Sequence, residues 1–166
     1  MNLKRFIQCV ETDNARQPGS HVTEKPATAA SIAAWRKKHD RNLPRGLHDF
    51  YRWSNGLGLW CQRLAGEYIS NGALYIYPLD GFDPADVAMY GEKDNRFPAT
   101  WFAFGTEQDG QWFLVVDLED ERFLQVPPIV PDEAEQVASS FESCLDWIVE
   151  SQKLVGGDLP DYMEMD

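Results

Sequence analysis

Carboxylates are the most abundant residues of this sequence that could do chemistry, and they concentrate in one stretch. Six of them precede the basic residue Arg122, namely Glu107, Asp109, Asp117, Glu119, Asp120 and Glu121. Two carboxylates that share a cleft can act as a general acid and a general base. Spacing along the chain does not show that any two share a cleft. Three interpretations therefore stay open: solvated turn residues, a docking patch for a basic protein, and an acid–base site.

The other residues that could bind a metal or act as nucleophiles are scattered. They are three histidines, His21, His39 and His48, and three cysteines, Cys9, Cys61 and Cys144. No zinc, calcium, phosphate-loop, dinucleotide or serine-hydrolase motif surrounds any of them. We expect His39 to be a helix-end residue, and we predict no catalytic residue, no cofactor and no metal. An odd number of cysteines without a paired motif favours a reducing, cytoplasmic location.

The charge of the chain is unevenly distributed. The net charge is −12; residues 1–45 carry nine Lys and Arg against four Asp and Glu, whereas residues 46–166 carry six against twenty-three. An acidic body attracts basic partners and repels phosphate backbones and anionic lipid, and it also keeps a protein soluble. The sequence therefore predicts a basic protein partner, no nucleic acid and no membrane.

Nucleic-acid binding would use the basic residues before position 46. These are Arg36, Lys37, Lys38, Arg41 and Arg45, with Trp35 as the stacking residue. Such binding needs a continuous basic stripe, and the acidity of the remaining chain opposes it. The same cluster has a simpler interpretation, because cations near the end of a helix complement its dipole. The apolar run at the N-terminus is too short for a signal peptide, and no stretch approaches a membrane span.

The residues from Trp35 to Gly56 predict two helices joined by a turn. Leu47, Phe50, Tyr51 and Ser54 fall on one helical face, and Pro44 suits the first position of that helix. Asn55-Gly56 favours left-handed backbone angles and is expected to end it.

Periodicity and turn residues predict the remaining elements of a single domain. The predicted helices cover Leu3–Glu11, Ala27–His39, a short segment capped by Asp83, and a last segment from Ser139 or Ser140 to about Lys153; Thr12–Lys25 is predicted to be a loop. The predicted strands are Leu57–Arg63, Ala73–Pro78, Trp101–Phe104, Trp112–Val116 and Arg122–Val126. The two nearly continuous apolar runs, 101–104 and 112–116, are expected to form a central hairpin.

Three blocks, in this order, resemble the SUKH superfamily of bacterial immunity proteins and fungal cell-wall-synthesis regulators. They are Leu43-Pro44 with Leu47, Phe50-Tyr51 and Asn55-Gly56; Trp101–Gly105 with Asp109-Gly110 and Phe113–Leu118; and Ser140-Phe141 with Leu145. The resemblance implies a single α+β domain with a curved, mainly antiparallel sheet and helices packed against it. It implies an immunity protein that binds a toxin of nuclease or deaminase type, or alternatively an intracellular regulatory or scaffold module. No catalytic residues come with it.

These lines of reasoning predict a partner-binding surface on an α+β domain that spans residues 1–155. The predicted contacts are Glu107, Asp109, Trp112, Glu119, Asp120 and Glu121. Trp112 is the aromatic anchor of this surface. Residues 156–166 carry four acids and no base, and are expected to form a loose acidic tail. We expect a monomer or a weak dimer.

Overall fold

The computed structural model describes residues 1–61, 63, 64, 67, 68, 73–92, 96–107, 110–128 and 130–154. Within these residues the helices are α1 (Leu3–Arg16), α2 (Ala29–His39), α3 (Arg45–Trp53), α4 (Ala85–Tyr90) and α5 (Phe141–Ser151). The strands are β1 (Val22–Thr23), β2 (Leu57–Leu59), β3 (Arg63–Leu64), β4 (Glu67–Tyr68), β5 (Leu74–Ile76), β6 (Asp83–Pro84), β7 (Trp101–Glu107), β8 (Trp112–Asp117), β9 (Phe123–Val126) and β10 (Glu135–Ala138). The predicted acidic tail and most of the segment 62–72 lie outside the described residues.

The strands form one open antiparallel sheet and a separate short hairpin. The order across the sheet is β1-β2-β5-β7-β8-β9-β10, with β6 pairing the first half of β7, while β3 pairs β4. The predicted hairpin is confirmed as β7 and β8, which lie in the middle of the sheet. The chain is therefore an α+β fold, as the sequence predicted.

The helices lie mainly on one face of this sheet. Phe6 of α1, Trp35 of α2, Phe50 of α3 and Leu145 of α5 belong to one buried cluster with the inward-facing sheet residues. Alternate residues of the central strands supply those inward positions, as the period of two in a strand requires. They include Phe102, Phe104, Leu114, Val116 and Phe123.

The opposite face has a smaller core. Ala103, Val115 and Leu124 point to this side and pack with Ala85 of α4 and with Phe97. Both faces of the central strands are thus covered, which explains why their sequences read as nearly continuous apolar runs.

Side-chain caps begin three of the helices: α1 at Asn2, α2 at Thr28 and α5 at Ser140. Thr28 caps α2 through its side chain, and Ser140 caps α5 in a reciprocal pair with Ser143. Pro44 precedes α3 as its N-cap residue. Ser54, in extended backbone, ends α3, and its hydroxyl donates to the Gly56 carbonyl at 2.5 Å. The predicted stop at Asn55-Gly56 is close, but the residue that ends the helix is Ser54.

Three local predictions differ from the structure. α1 continues to Arg16 through residues predicted to be loop, and Asp13 in this extension is buried. Asp83 does not cap α4; it lies in β6 and pairs with Ala103. β10 was not predicted, because its four residues include Glu135 and Gln136 and carry no apolar alternation.

Candidate protein-binding surfaces

The turn between β8 and β9 presents three of the predicted contact residues. Glu119, Asp120 and Glu121 are all exposed, and we call residues 117–122 the acidic turn. Its anchor is Asp117, which is only 5% exposed. One carboxylate oxygen of Asp117 accepts the Glu119 N–H at 3.1 Å, and the other accepts the indole N–H of Trp101 at 3.2 Å.

Hydrogen bonds keep this anchor ionised. Burial by itself raises the pKa of Asp117, but the bonds from the Glu119 N–H and from the side chains of Thr100, Arg122 and Trp101 outweigh it. The pKa therefore lies below its ordinary value, as expected for a carboxylate that accepts several donors. The acidic turn is consequently fixed to β7 and β9 by a charged group that does not itself face solvent.

The three exposed carboxylates of the acidic turn are not equivalent. Arg122 forms an ion pair with Asp120, with Nε 2.6 Å from Oδ2, and a second one with Asp117 at 3.2 Å. Among the described residues, no ion pair involves Glu119 or Glu121. Glu121 also has a left-handed φ of 58°. Glu119 and Glu121 are therefore the charges that a basic partner would meet.

Glu107 has a different environment from the one predicted. It is 7% exposed and lies between the end of β7 and the end of α5. Its carboxylate accepts from the Gln125 amide at 2.6 Å and from the Gln152 amide at 3.1 Å. Burial raises the pKa of Glu107, while these two amide hydrogen bonds lower it less. The Glu107 carboxylate is thus bonded within the fold, to β9 through Gln125 and to the end of α5 through Gln152.

Trp112 is separated from the acidic turn by the length of β8. It is half-buried at the first residue of β8, directly opposite Glu107. Five residue steps of about 3.3 Å put it roughly 17 Å from Asp117. Asp109 lies outside the described residues. Of the five predicted residues that the structure describes, Glu107 and Trp112 therefore lie at one end of the β7–β8 pair, and Glu119, Asp120 and Glu121 lie beyond the other end.

A cleft of about 530 Å³ opens between the end of α2 and the start of α4. Lys38 pairs with Asp83 at 3.0 Å, and His39 Nε2 lies 3.5 Å from the same oxygen. The His39 ring also contacts Trp35 and Phe102, with centroids at 4.8 and 5.2 Å. His39 is thus the helix-end residue that was predicted, and it packs as well against an aromatic cluster.

Trp35 is not available for stacking on a nucleic acid. It is 4% exposed, lies parallel to Phe82 at 5.0 Å, and donates its indole N–H to the Phe82 carbonyl at 2.7 Å. Proteins that bind single-stranded nucleic acid stack the bases on exposed aromatic rings. The basic residues around α2 have no such ring in Trp35, because it is buried.

One buried polar site was missed by the sequence analysis. His21 is 3% exposed; its Nδ1 accepts the Trp60 N–H at 3.1 Å, and its Nε2 lies 3.5 Å from Asp13. Burial lowers the pKa of His21, and the Asp13 carboxylate opposes that effect. Because Nδ1 accepts, Nε2 carries the proton of the neutral ring. The pairing joins the end of α1 to β2 and has no signature in the sequence.

The described residues contain no cluster of three or more His, Cys, Asp and Glu side chains that could hold a metal ion. The three cysteines are buried thiols. Burial raises the pKa of Cys9 and of Cys144, so both stay as thiols, which are weak nucleophiles. No helix in the described part of the chain has the length and apolar character needed to cross a bilayer.

Comparison with known families gives one match. The model of the SMI1 / KNR4 family (SUKH-1) matches residues 26–147, which is most of the chain. The matched segment begins just before α2 and ends within α5, so it includes β2 to β10 and the acidic turn but neither α1 nor β1. No curated protein matches the chain.

Proposed function

The chain belongs to the SMI1 / KNR4 family (SUKH-1), and from this premise we propose that it acts by binding another protein, without catalysis. Members of this family are generally non-catalytic. The more specific proposal is that the chain is an immunity protein. It neutralises a cognate bacterial toxin of nuclease or deaminase type by covering the toxin's basic cleft.

The acidic turn is the observation that supports this proposal. It carries Glu119 and Glu121 exposed and unpaired within the described residues, on a backbone held by Asp117. A preorganised loop loses little conformational freedom on binding, so more of the contact energy appears as affinity. Charge complementarity to a basic cleft also accelerates the encounter.

The contact surface of the proposal is consequently smaller than the one predicted from the sequence. It consists of Glu119, Asp120 and Glu121, with Asp120 partly neutralised by Arg122. Glu107 is excluded because it is buried, and Trp112 lies at the far end of β8.

A regulatory or scaffold role inside the cell is the second candidate. The family description names the SMI1 / KNR4 group, and the resemblance to cell-wall-synthesis regulators favours this role. It predicts a stable endogenous assembly and no toxin encoded beside the gene.

A rescue experiment separates the two candidates. The C-terminal domain of the protein encoded immediately upstream is expressed in bacteria, alone and together with this chain. The immunity proposal predicts growth arrest by that domain alone and normal growth when both are present. A harmless upstream domain, or growth arrest that persists when both are present, contradicts the proposal and leaves the regulatory role.

A further inference from the structure

The end of α2 and the start of α3 form a basic surface on an acidic protein. We call the residues Arg36, Lys37, Lys38, Arg41 and Arg45 the basic end; all five are exposed. Lys38 pairs with Asp83, whereas Arg36, Lys37, Arg41 and Arg45 have no ion pair with any described residue. Three of these four cations, Arg36, Lys37 and Arg41, line one depression in a chain of net charge −12.

Helix stability explains only part of this cluster. Arg36, Lys37 and Lys38 lie in the last turn of α2, where a cation interacts favourably with the helix dipole. Arg41 lies beyond the C-cap residue Asp40. Arg45 is the first residue of α3, where a cation meets the positive end of the dipole and no acid accompanies it. Arg41 and Arg45 are thus placed without benefit to either helix.

The basic end also borders two concavities that share Arg41. The cleft of about 530 Å³ is lined by Lys38 and Arg41, by the carboxylates Asp83 and Asp86, and by apolar residues that include Phe97 and Phe102. A shallower depression of about 320 Å³ lies on the other side, beside Arg36 and Lys37. The guanidinium of Arg41, which borders both concavities, can bind a carboxylate while the apolar part of the cleft takes a neighbouring side chain.

We propose that the basic end is a second docking surface, which binds an acidic segment of a partner protein with one aromatic or aliphatic side chain in the cleft. The occupant is expected to be acidic because of charge complementarity. The acidic remainder of the chain repels anions, whereas the basic end attracts them. A nucleic acid fits less well, because Trp35 is buried and offers no exposed ring on which a base could stack. This surface is independent of the acidic turn.

The test uses fluorescence anisotropy with labelled probes. The probes are a peptide of ten glutamates with a central phenylalanine, the same peptide with a central alanine, and an oligothymidine of equal length.

The variant combines Arg36→Glu, Arg41→Glu and Arg45→Glu. The matched control combines Arg5→Glu, Arg16→Glu and Lys25→Glu, which change the net charge equally at exposed positions outside the basic end. Near-ultraviolet circular dichroism checks folding, and the single Arg41→Gln variant replaces the triple variant if that one does not fold.

We expect the affinity for the phenylalanine peptide to fall at least about tenfold in the basic-end variant and less than about threefold in the control. We also expect the phenylalanine peptide to bind more tightly than the alanine peptide, because the cleft takes the ring. Equal losses in the two triple variants, equal affinities for the two peptides, tighter binding of oligothymidine, or no peptide binding at low salt would each overturn the proposal.

Discussion

Gly46 of α3 and Phe141 of α5 meet so closely that a Cβ atom on Gly46 would lie 2.5 Å from the Cβ of Phe141. Phe141 is the first residue of α5 and contacts Phe50 and Phe123 as well. The missing side chain of Gly46 therefore sets the distance at which α5 docks on α3. No displacement of a flexible side-chain end would relieve the clash, because the Phe141 Cβ is fixed to the helix backbone.

We predict that Gly46→Ala lowers the free energy of unfolding by about 1–3 kcal/mol, the usual effect of overpacking. In open space the same substitution within a helix would raise it by about 0.5–1 kcal/mol, so the sign itself identifies the clash. Urea unfolding followed by tryptophan fluorescence measures the change.

Gly81→Ala is the matched control for that substitution. A Cβ there would meet the Tyr77 Cβ at 3.4 Å, an ordinary contact, and the backbone of Gly81 is not left-handed. We expect a change within about 0.5 kcal/mol. Equal effects at the two glycines would contradict the role assigned to the contact between α3 and α5.

The His21 site predicts a loss of stability at mildly acidic pH. The pKa of His21 in the folded protein is lowered from 6.5 by burial, so the unfolded chain binds a proton first as the pH falls. The stability that His21 contributes is then fully present above pH 6.5 and decreases below it. His21→Asn keeps an acceptor for the Trp60 N–H but has no titrating group.

We therefore expect wild type to have a higher free energy of unfolding than His21→Asn at pH 7.5. The difference between the two free energies should be smaller at pH 6.5 and smaller again at pH 5.5. Urea unfolding at the three pH values measures it. His21→Ala leaves the Trp60 N–H without its acceptor and should cost about 1–3 kcal/mol at pH 7.5, more than the asparagine variant. If the free energies of unfolding of wild type and His21→Asn differ by the same amount at all three pH values, then titration of His21 does not contribute to the pH dependence of stability.

The elements with strong local signals were predictable from the sequence. The apolar stripe of α5 and its serine cap agree with the structure, and so does the central hairpin of β7 and β8. In each, burial follows periodicity, so the pattern of apolar residues carries the information. The same is true of Leu47, Phe50 and Tyr51 in α3, which are all fully buried.

The polar sites were not predictable, because they depend on which residues the fold brings together. Asp13 pairs with His21 only because α1 continues past Glu11, and the polar residues of its last turn show no apolar periodicity. Glu107 resembled its exposed acidic neighbours in the sequence, yet Gln125 and Gln152 enclose it from β9 and from the end of α5. The direction of a polar side chain is a tertiary property.

Glu107 provides a prediction of opposite sign to that of His21. Its pKa in the folded protein is raised from 4.5, chiefly by burial, so its contribution to stability is present below pH 4.5 and is lost as the pH rises through the folded pKa. We expect the stability of wild type relative to Glu107→Gln to decrease from pH 4 to pH 7, measured by urea unfolding.

A second substitution checks the cause of that decrease. The hydrogen bond from Gln125 to Glu107, at 2.6 Å, is the shorter of the two amide bonds and lowers the pKa of the Glu107 carboxyl. Gln125→Ala removes this bond, so the pKa of Glu107 should rise further. The decrease in stability between pH 4 and pH 7 should therefore become larger in this variant than in wild type. A relative stability of wild type and Glu107→Gln that does not change with pH would exclude Glu107 as a titrating group.

The acidic turn gives the prediction that bears most directly on function. Combining Glu119→Lys with Glu121→Lys reverses the two charges that have no ion pair within the described residues, while Asp117, Asp120 and Arg122 continue to hold the turn. The association rate with the upstream-encoded toxin domain should fall at least about tenfold at low salt, because steering by these charges is lost. Stopped-flow fluorescence measures the rate, and the difference from wild type should shrink near 1 M salt, where the Debye length is about 3 Å.

Glu11→Lys combined with Glu24→Lys changes the net charge equally, and Glu24 follows β1 at the opposite edge of the sheet from β10. This control should alter the rate by less than about threefold, since screening limits the reach of charges outside the contact. If the two double variants slow association to the same extent, overall charge attracts the toxin and the acidic turn is not the surface that binds it.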